Sequence, residues 1–568
     1  MNHIRPSNWW ICRVFCVAFL FILLVSAFWI RPIVHAETSP RTVYIDVYNV
    51  GDPYEDGSYD HPFDRIQEGV DFASPGDSIT VASGVYREEV VIGKNKSRIS
   101  LVGEDGAVID GEGLRSGIRV GIGLSRPNYI DNVTITGFTV QNCVKGITLM
   151  RCRHARLRNN TMIGNLYNFA DYSLVVNDVD TSNTVNGKPI YYWVNEEDRE
   201  VPLDAGYVAL INSRNIVVKD LNLTSNGQGL LFKNTTFSRI ENVSVVNNQD
   251  GVYFDLESKN NTIIGNTISN NSVIGVYLST SSGNTVSNNT ISNSDYGVYL
   301  ATSYGVNTAD NIIADNTIQG HWKGVVLRGG HASNLVTDNV IKNNLLSNNS
   351  FAISMHLSAF NLIYHNNFVN NTIQVESYES ENVFDYSGEG NYWDNYEGAD
   401  GNNDGIGDTS FVIDEVNRDN YPLMGFFKSF NVFWEGTAYT LDAISSSVIS
   451  NLIFNQPEKS IGFDVLTEGK ETSFCRLTVP EVMLGGPYKV LVNGSPADTL
   501  VEETNGTHAF LFFTYSGNGF RVEVFGSEAI VEFHHFFFLA LLMITTLFVV
   551  LLHRKNMLKV KGRPATSL

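Results

Sequence analysis

The sequence predicts an all-β chain, a long stack of β-coils followed by a small β-sandwich, held between two apolar ends. Three observations carry this. A phrase of 23 to 27 residues recurs from about residue 129 to residue 375. Its apolar residues alternate rather than follow a helical period. Past Phe430 the repeat gives way to longer alternating stretches separated by turn residues.

The repeat comes first because it sets the architecture. NNTIIGNTISNNSVIGVYLSTSSG, from Asn260, is restated as GNTVSNNTISNSDYGVYLATSYG, from Gly283. An asparagine marker falls at Asn242, Asn266, Asn289, Asn316 and Asn339, and a glycine marker at Gly229, Gly251, Gly275, Gly297 and Gly324. Each unit holds three short β pieces separated by Asn, Gly or Ser. Pieces of three to five residues cannot stand alone, but stacked coil on coil they form parallel sheets around one apolar interior. Asparagine suits the corners, since it tolerates left-handed backbone and bonds its own turn. Asparagines at equivalent corners can also ladder between coils. Ten to twelve coils would give a rod roughly 50 Å long at the spacing of paired strands.

Ahead of the repeat, TVYIDV (Thr42–Val47) precedes HPFDRIQEGVDFASPGDSITVASGVYRE, in which Phe63, Ile66 and Val70 share one face of a short helix. Pro75-Gly76-Asp77 then turns into a strand. Such a helix covers the open end of the first coil, protecting its strand edges. With VIDGEG (Val108–Gly113) and segment 166–206, which breaks the period like an insertion, these features resemble the NosD-type branch of the pectin-lyase-like superfamily. The resemblance spans about residues 40–425 and implies a right-handed parallel β-helix. It also implies three activities to look for: a polysaccharide hydrolase or lyase, an alginate epimerase, or copper delivery.

The ends place the chain. Residues 1–36, with Arg5, Arg13, an apolar run from Val14 to Ile30 and Val34-His35-Ala36, read as a secretory signal peptide or signal anchor. Phe536–Leu552 is seventeen uncharged residues, enough for one short membrane span. The basic tail 553–568 is then cytoplasmic and residues 37–535 lie outside. That exterior carries 31 basic against 60 acidic residues, which disfavours nucleic acid as a partner. The expected order is a cap with first coils (37–128), repeats (129–385), a C-terminal cap (386–428), a sandwich (429–526) and a linker (527–535). Cys143 and Cys152 either pair or stay buried thiols. Thirteen N-x-S/T sequons between Asn95 and Asn505 are glycan acceptor sequences if the chain is exported.

Catalytic equipment is sparse. Glycoside hydrolysis needs two carboxylates across a groove, and the NTD, DD and GHG motifs of the hydrolase relatives are absent; His331 sits in GGHAS. The DPH signature of the epimerases is absent too. Lys323 and Arg328, one coil on from Asp310 and Asp315, are the candidate lyase set. For copper, His356 and His365 are the closest imidazole pair compatible with the coils, with no Met-rich or His-rich tract. Better suited to binding are Tyr253, Tyr277 and Tyr299, at one outward position of three successive coils. Apolar sugar faces stack on such rings, although cross-strand tyrosines also simply stabilise sheets.

One loop, DGNNDGIGD (Asp400–Asp408), has calcium-loop spacing. Asp400, Asn402 and Asp404 would offer side-chain oxygens, Gly405 the bend, Ile406 a carbonyl, and Asp408 the ninth position. The twelfth is Phe411, so Asp414 would have to reach back as the remaining ligand. The expected function is carbohydrate or cell-surface binding by a membrane-anchored rod. The alternatives are a surface polysaccharide lyase or hydrolase, and copper or cofactor maturation.

Overall fold

The computed structural model describes residues 39–122, 128–303, 305–331, 334–434, 436–467, 472–517, 519–529, 546–547 and 549–551. The expected signal segment and most of the expected membrane span lie outside these residues. Among the described residues no helix is long and apolar enough to cross a membrane.

The chain is a β-solenoid of about 13 turns, close to the expected coil number. Successive coils pair in parallel and in register, as in Thr262↔Thr285, Ile263↔Val286 and Ile264↔Ser287. Alternation puts Val252, Phe254, Val276, Leu278, Val298 and Leu300 inside, each at 0 % exposure. The helix Ile66–Phe72 lies over the first coil with Ile66, Gly69 and Val70 buried. Its free N-terminal amides are satisfied by Glu88, whose carboxylate accepts from Ile66 N (2.8 Å) and Gln67 N (3.1 Å).

The glycine marker is a true column: a Cβ on Gly251 would lie 2.4 Å from Gly275 O, and one on Gly275 2.6 Å from Gly297 O. The asparagine marker needs correction, because it mixes three positions. Asn261, Asn284, Asn311, Asn339 and Asn361 form one buried ladder, each backbone N–H donating to the next Oδ1. Asn266, Asn289, Asn316, Asn344 and Asn366 form a second. Asn339 therefore belongs to the first ladder. Asn242 belongs to neither; it precedes Val243, whose N–H donates to Asn266 Oδ1, and it takes the left-handed corner (φ 52°). Asn-x-Ile, as at Asn316 and Asn339, recurs at two corners per coil, which is why Asn339 falls into the wrong column.

The stack is also broken, which the repeat did not foretell. The apolar interior divides into one cluster running mainly from Val43 to Ile211 and another from Val201 to Trp393. Between them the antiparallel hairpin Thr184–Val185 with Lys188–Val194 carries one face of the first stack into a different face of the second, making a single 14-stranded sheet. At this elbow Tyr207, Ala209 and Leu231 face out of the second stack yet are buried, because the first stack covers them.

Beyond the rod, Phe426–Trp434, Thr437–Ser445, Thr472–Pro480, His508–Ser516 and Thr499–Thr504 form one antiparallel sheet of a sandwich. A second sheet of five strands faces it, and Leu441, Phe463, Leu477, Phe513 and Val522 fill the space between. Cys143, Cys152 and Cys475 are buried free thiols, so Cys143 and Cys152 do not pair. Burial pushes their pKa values up, to about 11 for Cys143 and about 12 for Cys152.

Candidate functional site

The structure brings Tyr253, Tyr277 and Tyr299 directly opposite one another on adjacent strands. Ring centroids lie 4.7 Å apart for Tyr253 and Tyr277 and 5.5 Å apart for Tyr277 and Tyr299, tilted by 49° and 61°. In this column Leu231 precedes Tyr253 and Val326 follows Tyr299. Burial pushes the Tyr277 phenol up to about 12. Part of the ladder therefore stabilises the sheet.

The open part continues elsewhere. Tyr296 meets Tyr299 at 5.1 Å, Trp322 meets Tyr296 at 5.4 Å, and Phe351 meets Trp322 at 6.4 Å. Trp322 is 49 % exposed. Sequence reasoning missed these three because they sit at the strand entrances, just outside the alternating phase. The signal was an aromatic one or two residues before the glycine marker for Tyr296 and Trp322, whereas Phe351 precedes Ala352, which replaces glycine in that column. Lys323 lies 5.0 Å from the Trp322 ring centre and 5.1 Å from that of Phe351, and pairs with Glu376 at 2.5 Å.

At the other end the track meets a polar cluster. Tyr172, from the first stack, contacts Tyr253 at 6.4 Å and donates to Asp250 Oδ2 at 3.1 Å. Gln249 Nε2 donates to the Tyr172 hydroxyl at 2.8 Å, and Lys145 Nζ lies 5.8 Å from the Tyr172 ring centre. Burial drives Asp250 up to about 7, against the opposing pull of Tyr172 and Lys145. Nothing in the sequence marked Asp250, since the elbow alone brings Tyr172 and Lys145 to it.

The candidate lyase set does not assemble. Lys323 is held by Glu376, whereas Arg328, Asp310 and Asp315 are exposed, the two acids at left-handed corners. His356 and His365 are also apart in role. His356 stacks on Tyr378, whereas His365 stacks on Phe427 and bonds Glu389 at 2.8 Å.

In the acidic loop the oxygens bind the loop itself. Asp400 accepts from Asp404 N (3.1 Å) and Gly405 N (2.8 Å), Asp404 from Ile406 N and Asn402 Nδ2, and Asp408 from Gly401 N. Gly405 takes φ +79°, and a Cβ there would sit 3.3 Å from Arg476 of the sandwich. Ile406 packs with Leu423, Phe427 and Ile444 between rod and sandwich. Asp414 is engaged elsewhere, accepting from Val416 N and Asn417 N and Nδ2. Among the described residues the one set of three convergent acidic, His or Cys ligand atoms is Glu55, Asp64 and Glu68, in the N-terminal cap.

The family model described as periplasmic copper-binding protein (NosD) matches residues 194–344 and 306–398. Among solved structures, the A-module of Azotobacter vinelandii mannuronan C-5 epimerase AlgE4 is 18 % identical, with TM-score 0.27, covering 60 % of this chain and 100 % of that one. The AlgE6 A-module of the same organism is 15 % identical, with TM-score 0.25, covering 56 % and 95 %. Geobacillus virus E2 ORF18 is 12 % identical, with TM-score 0.22, covering 84 % and 78 %. Scores this low carry no functional argument. No protein of curated function matches the chain. The repeats from residue 194 to residue 398 match the NosD family model, and the rod is a right-handed parallel β-helix.

Proposed function

We propose that the protein is a cell-surface rod whose aromatic track binds an extended glycan, tethered through the apolar segment near its C-terminus. The observation that supports this reading is the unbroken run Tyr253, Tyr277, Tyr299, Tyr296, Trp322 and Phe351, each ring within 6.4 Å of the next. Rings at such spacing offer several sugars an apolar face in sequence, and phenols at the edge serve their hydroxyls. A weak calcium site at Asp400–Asp408 belongs to the same reading, as a clamp between rod and sandwich.

The test is retention of the full chain on a panel of immobilised polysaccharides. Trp322→Ala and Tyr299→Ser together should weaken retention at least tenfold, with Tyr253/Tyr277/Tyr299→Ser abolishing it. Unchanged retention in the double variant removes the reading. The Asp250 cluster favours a second reading, a surface lyase or hydrolase, since a carboxyl that titrates near neutrality beside Tyr172 and Lys145 can exchange a proton with a bound sugar. Product release by wild type that Asp250→Asn abolishes would establish that alternative.

A further inference from the structure

One left-handed corner of the second stack runs into the join between rod and sandwich. Ser287, Ala314, Lys342 and Tyr364 pair in one row, so the residues that follow them, Asn288, Asp315, Asn343 and His365, form a column. All four take left-handed backbone, with φ from 54° to 57°. The last member is already covered, since His365 stacks on Phe427 of the sandwich at 3.7 Å. Two residues on, Asn367 exchanges hydrogen bonds with the Phe427 backbone at 2.9 and 2.8 Å. These contacts fix the sandwich on the last coils. Residues 445–449 of the sandwich then face the three earlier members of the column.

Between them lies a crevice of about 520 Å³, in the range of small-ligand sites. One wall is polar: Asn288 and Asp315 are exposed and Asn343 is half-buried, its Nδ2 donating to Asp315 Oδ1 at 3.1 Å. The other wall is the sandwich, where Phe426 and Val448 are 40 % and 53 % exposed. Phe426 stacks on Tyr392 at 4.6 Å, which fixes its ring. Lys428, also exposed, crosses this wall with Nζ donating to Ile449 O at 3.0 Å. The lining thus carries one carboxylate and one ammonium, whose charges offset.

We propose that this crevice binds a short neutral oligosaccharide laid along the corner column. A pyranose is apolar on its faces and polar at its edge, so it suits one apolar and one polar wall. Successive corners lie one coil apart, roughly 4.8 Å, close to the advance of one unit in an extended glycan. Asp315 and Asn288 bind hydroxyls of adjacent units, and Phe426 with Val448 covers a ring face. The offsetting charges leave no net attraction for a polyanion. The column borders the 11-stranded sheet, whereas the aromatic track lies on the 14-stranded one, so this is a second site.

The test titrates cellotriose and triacetylchitotriose, with trigalacturonate as the anionic control, into the full chain carrying Trp322→Ala and Tyr299→Ser. That background removes the contribution of the track, so failure of either site is read separately. Calorimetry and saturation-transfer NMR should show millimolar or tighter binding of a neutral trimer and none of trigalacturonate. Asp315→Gly, which suits the corner backbone, should weaken binding about tenfold, the loss of one hydrogen bond to a charged group. Val448→Arg, from an exposed position, should fill the crevice and abolish binding. The proposal falls if neither neutral trimer binds, if trigalacturonate binds as well as they do, or if either variant binds like its parent. It falls also if the crevice takes an apolar dye, lost in Val448→Arg, that the trimers do not displace, which would mark a protein-docking surface.

Discussion

Glu389, on the last coil of the rod, meets Arg476 of the sandwich at 2.7 Å while its other oxygen accepts from His365 at 2.8 Å. Burial alone would raise this carboxyl, but His365 and Arg476 outweigh it and hold Glu389 down at about 2. A depressed carboxyl stabilises the fold above its unfolded value, near 4.3, and loses that contribution as pH falls toward 2. Glu389→Gln would leave the Arg476 guanidinium, 9 % exposed, without its charge partner. It should cost about 3 kcal/mol at pH 7, the usual scale for breaking a buried pair from one side. Calorimetry should show the difference from wild type shrinking steadily from pH 5 to pH 2. A penalty independent of pH would show that packing, not charge, joins the two domains.

Asp250 has the opposite sign. Its folded value is raised to about 7, so its protonated form is the one the fold accommodates. The stability linked to it is full below the unfolded value, near 3.9, and is lost as pH rises through 7. Asp250→Asn should therefore stabilise the fold at pH 8, by at most about 4 kcal/mol, seen as a higher melting temperature there and little change at pH 4. Equal melting at pH 8 would mean that Lys145 neutralises the carboxylate fully.

How far these sites could be read beforehand depends on the range of the signal. The glycine column and the outward tyrosines were legible because alternation and a fixed period are local, and a Cβ at Gly275 has nowhere to go in any coil of this kind. Asn339 was misplaced because the same Asn-x-Ile text serves two corners whose difference is purely spatial, and Asn242 because Val243 holds the ladder position in its coil. The elbow was illegible. Segment 166–206 looked like an insertion, yet Lys188–Val194 is a full strand of the longest sheet. Everything the elbow creates, including the Asp250 cluster, was hidden with it.

The loop Asp400–Asp408 gives a calcium prediction with a control built in. Asp400 serves two backbone amides and Asp404 one, so these side chains already brace the turn. An ion bound only by the folded state adds RT ln(1 + [Ca]/Kd) to stability, about 1.4 kcal/mol at tenfold excess over Kd. Millimolar calcium should raise the melting temperature of wild type by a few degrees, and Asp404→Asn should remove most of the rise. No shift in wild type would leave the loop as a packed polar turn against Arg476.

The ladders allow a sharper comparison within one coil. Asn316 is buried: it accepts from Asn289 N at 3.0 Å and donates to Asn344 Oδ1 from its N–H and Nδ2, and to Val286 O from Nδ2. Asp315 next to it is exposed in left-handed backbone, φ 57°. Removing the amide at Asn316 strands a buried carbonyl and two buried N–H groups, each worth about 1–3 kcal/mol. Asn316→Ala should thus destabilise by at least about 3 kcal/mol in urea unfolding, whereas Asp315→Gly should lie within about 0.5 kcal/mol of wild type, since glycine accepts that backbone freely. The same contrast is expected at Asn289 and Asn288, one coil earlier. If the corner and the rung cost alike, the rod is held by its apolar interior alone and the asparagine columns only fill space.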